Sequence, residues 1–291
     1  PRPSTDADFT SLEQVYTIAE ASSSDHHFRV IQLPVNLFER GGVLEQNQGN
    51  GTETALAFAR RQGLGVLVNR PLNAIMGNGM VRLADFPVED PPAFDDVQRA
   101  VEQLAEQENA FERERLPSLS IGVEQRNAVK QLLTAGRTLQ EYWKHFGTVE
   151  HWNDVSDQYL VPRLNSAFGL LQPAAEQNPA IQAWVEAYID AVSGVLHAVT
   201  SVYRVMANRR SRRLHEALNP ILPESIRPLS LSQKAVFCLR SAPGVSTVLV
   251  GMRQPDYVQD VVAGLRHPTV SDGVALWQTL DTALDKAMGE Q

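Results

Sequence analysis

The sequence predicts an α/β protein built of βαβ-type elements with parallel strands and interrupted by an inserted helical module. Three observations predict it. Residues 28–34, 64–69 and 246–251 are apolar runs of strand length, rich in β-branched residues. Strand, helix and strand follow one another between residues 28 and 69, which is the order of a βαβ unit. Roughly 175 residues then separate the second run from the third, far more than a simple connection needs, and their apolar spacing is helical.

Each element has a local reason. Ser4, Thr5 and Asp6 supply cap chemistry, and Phe9, Leu12, Tyr16 and Ala19 recur at helical spacing until the break at residues 22–25. The strand at 28–34 is closed by Pro34, which can end a strand but not sit centrally in one. A loop rich in Gly, Asn and Gln leads to a helix opened by the pair Asn50 and Glu53 and ended by Gly63. The run at 64–69 follows at once, with the composition of a strand covered on both faces. Near the end, Ser230 and Gln233 open a helix with Leu231, Ala235, Val236 and Leu239 on one face, closed by Pro243 and Gly244. After the strand at 246–251, Pro255 takes a first helical position and Val258, Val261, Val262 and Leu265 form a stripe. Val274, Trp277, Leu280 and Leu284 mark the last helix.

The predicted domains are 1–88, an inserted module at 89–224, and 225–291. Four stripes predict a small antiparallel bundle in the insertion: Phe94 to Leu104, Val129 to Trp143, Trp152 to Tyr159, and Ile181 to Tyr203. Pro117, a turn at Gly147, and Pro173 to Pro179 separate them. Their aromatic residues read as core.

Composition excludes several classes. Hydrophobic residues make up 43% of the chain, enough for a folded core. A net charge of -8 gives no field to collect nucleic acid, and the basic run from Arg204 to Arg213 is too short to reverse it. That run reads as a solvated helix end or a docking surface for an acidic partner. No stretch approaches the roughly 20 apolar residues that cross a bilayer, so membrane insertion is not expected. The single cysteine, Cys238, lies in an apolar helical pattern and reads as packing. Phosphate-binding loops, dinucleotide glycine fingerprints, zinc-protease motifs and paired cysteines are all missing from the sequence. Asn50-Gly51-Thr52 is a glycosylation sequon that reads as loop and cap chemistry.

Three segments resemble the aldo-keto reductase family. They are Val30-Ile31-Gln32-Leu33-Pro34-Val35-Asn36-Leu37, Gly65-Val66-Leu67-Val68-Asn69-Arg70-Pro71-Leu72, and the stretch from Pro243 to Arg253 with Pro255-Asp256-Tyr257-Val258 after it. The resemblance covers roughly residues 4 to 86 and 225 to 270 and leaves the insertion outside. It implies the C-terminal portion of a (β/α)8 TIM barrel, strands six to eight, with an inserted α-helical bundle. It also implies NADP (NADPH) as cofactor and reduction of an aldehyde or ketone.

Residue by residue, the resemblance places Gln32 against the nicotinamide carboxamide; the competing reading is a buried Gln bonded to backbone. Asn69 falls where the family has an aromatic residue stacked on the nicotinamide, and an Asn offers no such face. Arg70 falls on the family's serine position before Pro71 and Leu72, where backbone approaches the pyrophosphate. Arg70 then offers either a donor fork to phosphate or a structural ion pair. Gly251, Met252 and Arg253 match the adenosine-phosphate segment at a helix start. Asp260 takes an acidic position near the adenine, or is a solvated helix residue. The family's catalytic Tyr, Lys, Asp and His come from early strands with no counterpart here, so no catalytic residue is assigned. The expected partners are an N-terminal barrel half, in the same polypeptide or another chain, and a protein docked on the helical insertion. An alternative reading is a non-catalytic scaffold or accessory subunit of a larger assembly.

Overall fold

Parallel pairing of three short strands organises one of two compact units in this chain, and a bundle of helices forms the other. The computed structural model describes residues 3–76, 79–88 and 90–289. In chain order the first elements are α1 (Leu12–Ser22), β1 (Val30–Pro34), α2 (Gly41–Leu44), β2 (Gln46–Gln48), β3 (Glu53–Thr54), α3 (Ala55–Arg61), β4 (Gly65–Asn69), β5 (Asn73–Met76) and β6 (Gly79–Arg82). The helical stretch contains α4 (Phe94–Ala110), α5 (Val123–Leu132), α6 (Ala135–Tyr142), α7 (Val149–Val155), α8 (Val161–Gln177) and α9 (Pro179–Leu218). The chain closes with α10 (Leu231–Arg240), β7 (Thr247–Val248), α11 (Pro255–Gly264) and α12 (Gly273–Gly289). One unit comprises Pro1–Asp85 with Arg209–Gln291, and the other Phe86–Asn208.

The expected TIM barrel is not the fold. The described residues hold one three-stranded parallel sheet, in the order β1-β4-β7, and two antiparallel hairpins, β2-β3 and β5-β6. A barrel closes only when every strand edge finds a partner around a ring of about eight strands. Here β1 and β7 are both edges, and β7 pairs for only two residues. The strand motifs are local, whereas closure depends on pairings that no local run encodes.

Several boundaries also move. The first helix starts at Leu12 because Ser11, not Ser4 to Asp6, is its cap; the Ser11 hydroxyl accepts from the Gln14 amide at 3.2 Å. The next long helix starts after Thr54, whose side chain caps Ala57, while Asn50 turns with φ +56° and lies between β2 and β3. The third strand shrinks to Thr247–Val248, although Ser246 extends its pairing: its hydroxyl accepts from the Val66 amide at 3.0 Å. The capping box at Ser230 and Gln233 forms as read, with 3.2 Å bonds in both directions.

In the first unit, Val66 and Val68 of β4 are fully buried, with Leu33, Val35 and Leu37 beside them. Helix α10 covers this core, and every residue from Leu231 to Leu239 is buried. Trp277, Leu280 and Leu284 of α12 pack against the same cluster, while Val274 remains half exposed. The α11 stripe does not pack as read: Val261 is buried, but Val258, Val262 and Leu265 are exposed.

In the second unit, the stripes read from sequence bury Val97, Val101, Leu104, Val129, Leu139, Trp143, Trp152, Tyr188, Val199 and Tyr203, whereas Phe94 and Tyr159, read as core, are exposed. The four expected segments are more finely divided. A π-helical turn, Phe111–Arg115, follows α4, and another, Ser156–Leu160, joins α7 to α8. Pro173 lies inside α8 and does not end it. Helices α4 and α6 approach closely at Gly136, where a Cβ would stand 2.5 Å from the Ala105 nitrogen. Only glycine allows that contact.

Candidate functional site

The register Pro34 to Asn69 and Val68 to Val248 brings the carboxyl ends of β1, β4 and β7 to one edge of the sheet. Ligand sites of open α/β sheets form beyond such ends. The predicted site residues fall into three groups, and not all of them lie at that edge.

Gln32 lies on β1 beside Leu67 in register, and it is exposed, which removes the reading of a buried Gln bonded to backbone. It lines a cavity of about 540 Å3 along the open edge of β1, together with Phe9, Leu12, Phe28 and Val30.

Asn69 ends β4. Its Oδ1 is buried without a hydrogen-bond partner among the described residues. A buried acceptor left unpaired costs about 1–3 kcal/mol, so it marks a place where a donor is wanted. Arg70, next along, adopts φ +54° and pairs with Glu39 at 2.6 Å. The organiser of this turn is Asn36, fully buried and not singled out from sequence. Its Oδ1 accepts from the Phe38 and Glu39 amides at 3.0 and 2.9 Å, and its Nδ2 donates to the Glu39 carboxylate at 2.7 Å and to the Arg70 carbonyl at 3.2 Å. Arg70 therefore takes the ion-pair reading. Pro71 and Leu72 are buried, and the Leu72 carbonyl accepts from the Leu83 amide at 2.8 Å.

Gly251, Met252 and Arg253 are exposed and precede α11 rather than forming its first turn, which Pro255 opens. Nothing lies within 4 Å of a Cβ built on Gly251. Met252 lines a second cavity, about 410 Å3, with Val248, Val250, Val261 and Leu265. Asp260 points elsewhere: its carboxylate accepts from Ser230 at 2.8 Å and from Ser232, and its carbonyl accepts from Gln233 at 2.7 Å. It fastens α11 to the start of α10. Among the described residues, no hydrogen bond or ion pair links Gln32, Asn69 and Arg253 to one another.

Some of these residues are free to meet a ligand and others are engaged. The orphan Asn69 Oδ1 is an acceptor of the kind a carboxamide N–H2 requires, Gln32 is a free amide, and Arg253 is an exposed cation beside the side-chain-free Gly251. Arg70 and Asp260 are already engaged by protein groups.

A second cluster escaped the sequence reading. Asp85, after β6, accepts from His215 Nε2 at 2.9 Å, from the Leu231 amide at 3.0 Å and from the Ser211 hydroxyl. The Nδ1 of His215 faces Lys234 Nζ at 2.6 Å, and that ammonium also donates to Asn219 Oδ1 at 2.8 Å. Lys234 is wholly buried. Burial alone would raise the Asp85 carboxyl, but the bonds from His215, Ser211 and Leu231 outweigh it and hold the carboxyl at about 2. Burial also lowers the lysine from its ordinary value, against the pull of Asp85 and Cys238. The available signal was a lysine standing directly before the apolar pair Ala235 and Val236 in a helix with no polar face to spare.

No family model, curated protein or solved structure matches this chain. Among the described residues, no helix is long and apolar enough to cross a membrane, and no group of His, Cys, Asp or Glu side chains has the arrangement of a metal site.

Proposed function

We propose that this chain is an aldo-keto reductase-like component of an NADP-dependent oxidoreductase acting on an aldehyde or ketone, and that it supplies part of the cofactor-binding surface. The observation that carries the reading is the buried, unpartnered Oδ1 of Asn69 at the carboxyl end of the central strand. Support comes from the resemblance of the three strand segments and from their placement side by side in one parallel sheet. Gln32 and Asn69 would hold the carboxamide, and the backbone at Gly251 with Arg253 would hold the adenosine phosphate. A bound nicotinamide supplies hydride to a carbonyl carbon; the residues of this chain bind and orient it, and none is assigned the proton donor.

Titration of the chain with NADPH and NADH, followed by nicotinamide fluorescence, tests the reading. Saturable binding that favours NADPH, weakened by Asn69→Leu and by Arg253→Ala, is the expected result. No binding of either dinucleotide overturns it.

A second reading is a non-catalytic scaffold or accessory subunit. It is favoured by the engagement of Arg70 with Glu39 and of Asp260 with Ser230 and Ser232, which withdraws two side chains from any ligand. The same titration separates the two.

A further inference from the structure

The Asp85, His215 and Lys234 cluster joins three parts of the first unit: the segment after β6, the last turns of α9, and the first turn of α10. Its hydrogen positions are dictated by its donors. A lysine ammonium has no lone pair, so the Nδ1 it faces at 2.6 Å must be an acceptor and carry no proton. The Nε2 faces a carboxylate at 2.9 Å and must be the protonated nitrogen. The cluster then holds one ammonium, one neutral imidazole and one carboxylate, and its net charge is zero.

We propose that Asp85, His215 and Lys234 form an acid-sensitive clasp, closed while His215 Nδ1 is unprotonated and opened when that nitrogen takes a proton. The proton removes the acceptor from Lys234 and sets a second cation against a buried ammonium that keeps only Asn219 as a neutral partner. Asp85 still pairs with the imidazolium, so the bond that fails is the one to α10. The other groups in the cluster hold their charge during mild acidification. Asp85, held at about 2, stays ionised, and the thiol of Cys238, one turn along α10 and pushed up to about 12 by burial, stays neutral. The titratable side chains bonded to His215 are Asp85 and Lys234; Ser211 and Asn219 face the cluster as neutral hydrogen-bonding groups. Helix α10 runs into β7 through a short turn, so its release is expected to loosen that edge strand as well.

Amide hydrogen exchange of α10 on the intact chain, corrected for intrinsic rates, tests the clasp between pH 8 and pH 4.5. Protection of the residues around Lys234 is expected to fall at least tenfold on acidification. His215→Gln supplies the decisive comparison. Its amide oxygen accepts from Lys234 and its N–H2 donates to Asp85, yet it cannot take a proton, so protection should no longer depend on pH. An unchanged acid step in His215→Gln overturns the proposal. If that variant does not fold, Lys234→Met removes the buried cation, and persistence of the step there overturns it equally. Nitrogen-15 NMR of the wild-type imidazole is an independent check: a proton on His215 Nδ1 at pH 8 contradicts the clasp, and a proton on Nε2 alone supports it.

Discussion

The hydroxyl of Tyr188 donates to the Oε1 of Glu108 at 2.6 Å, deep in the helical unit, where both side chains are almost wholly buried. The same carboxylate accepts from the Gly136 and Arg137 amides at 2.6 and 3.1 Å, at the start of α6. Burial raises the Glu108 carboxyl above its ordinary value, against these bonds. The folded unit therefore holds this proton more tightly than the unfolded chain does. The stability linked to it is present below the ordinary carboxyl range and is lost as pH rises toward the raised value. Tyr188→Phe is expected to cost about 1.5–3 kcal/mol in urea unfolding, the usual worth of a bond to a charged group. It should also carry the pH-dependent loss to higher pH.

Asp85 has the opposite sign. Its carboxyl lies at about 2, below its ordinary value of 3.8, so its contribution is full above that value and is lost as pH falls toward 2. With a third of the side chain open to solvent, the contribution is about 1 kcal/mol after screening. Asp85→Asn should be less stable than wild type at pH 6, and the difference should vanish near pH 2 in acid-unfolding curves.

Gly136→Ala would set a methyl carbon 2.5 Å from the backbone of Ala105. Backbone cannot step aside as a flexible side chain can, so α4 and α6 must separate. A loss of about 1–3 kcal/mol is expected, read as a lowered Tm.

Arg70 and Arg253 should part company in ligand binding. Arg70→Ala breaks the pair with Glu39 and should lower stability while leaving NADPH affinity within about twofold. Arg253→Ala should leave Tm unchanged and weaken NADPH binding by about tenfold, the scale of one charge-assisted bond to phosphate. Calorimetry alongside thermal melts reads both effects.

Cys238 should be inert in the folded chain. Its thiol is fully buried and pushed up to about 12, so the reactive thiolate is scarce. A thiol reagent at pH 8 is expected to react only on addition of denaturant; rapid labelling of the native chain contradicts this.

The legible parts of the fold were those set by neighbours along the chain. Ser230 and Gln233 reach each other across one helical turn, and their capping box needed nothing distant. Residues 65–69 form a strand as their apolar, β-branched run indicates, with Val66 and Val68 buried, but their place at the centre of a small sheet rather than in a barrel was not legible. Three strand runs alone leave two open edges, and sequence could not say whether further strands close them; among the described residues β1 and β7 each pair with β4 and with no second strand. The site divided in the same way. Asn69 was singled out by its position at the end of a strand, but its unpaired oxygen depends on what surrounds it in space. Arg70 and Asp260 offer charges whose partners, Glu39 and Ser230, lie about thirty residues away. The Asp85, His215 and Lys234 cluster was hidden for the same reason, since Asp85 and His215 stand 130 residues apart.

The division of the first unit into two separated stretches sets an order of assembly. Residues 86–208 form a contiguous body that can close on its own contacts as soon as it is synthesised. Strand β4, by contrast, waits for β7 and for α10 until the rest of the chain has emerged, leaving Val66 and Val68 uncovered in the interval. The nascent chain thus exposes an unfinished sheet edge for as long as it takes to translate the intervening module, the stage at which a chaperone has most to protect.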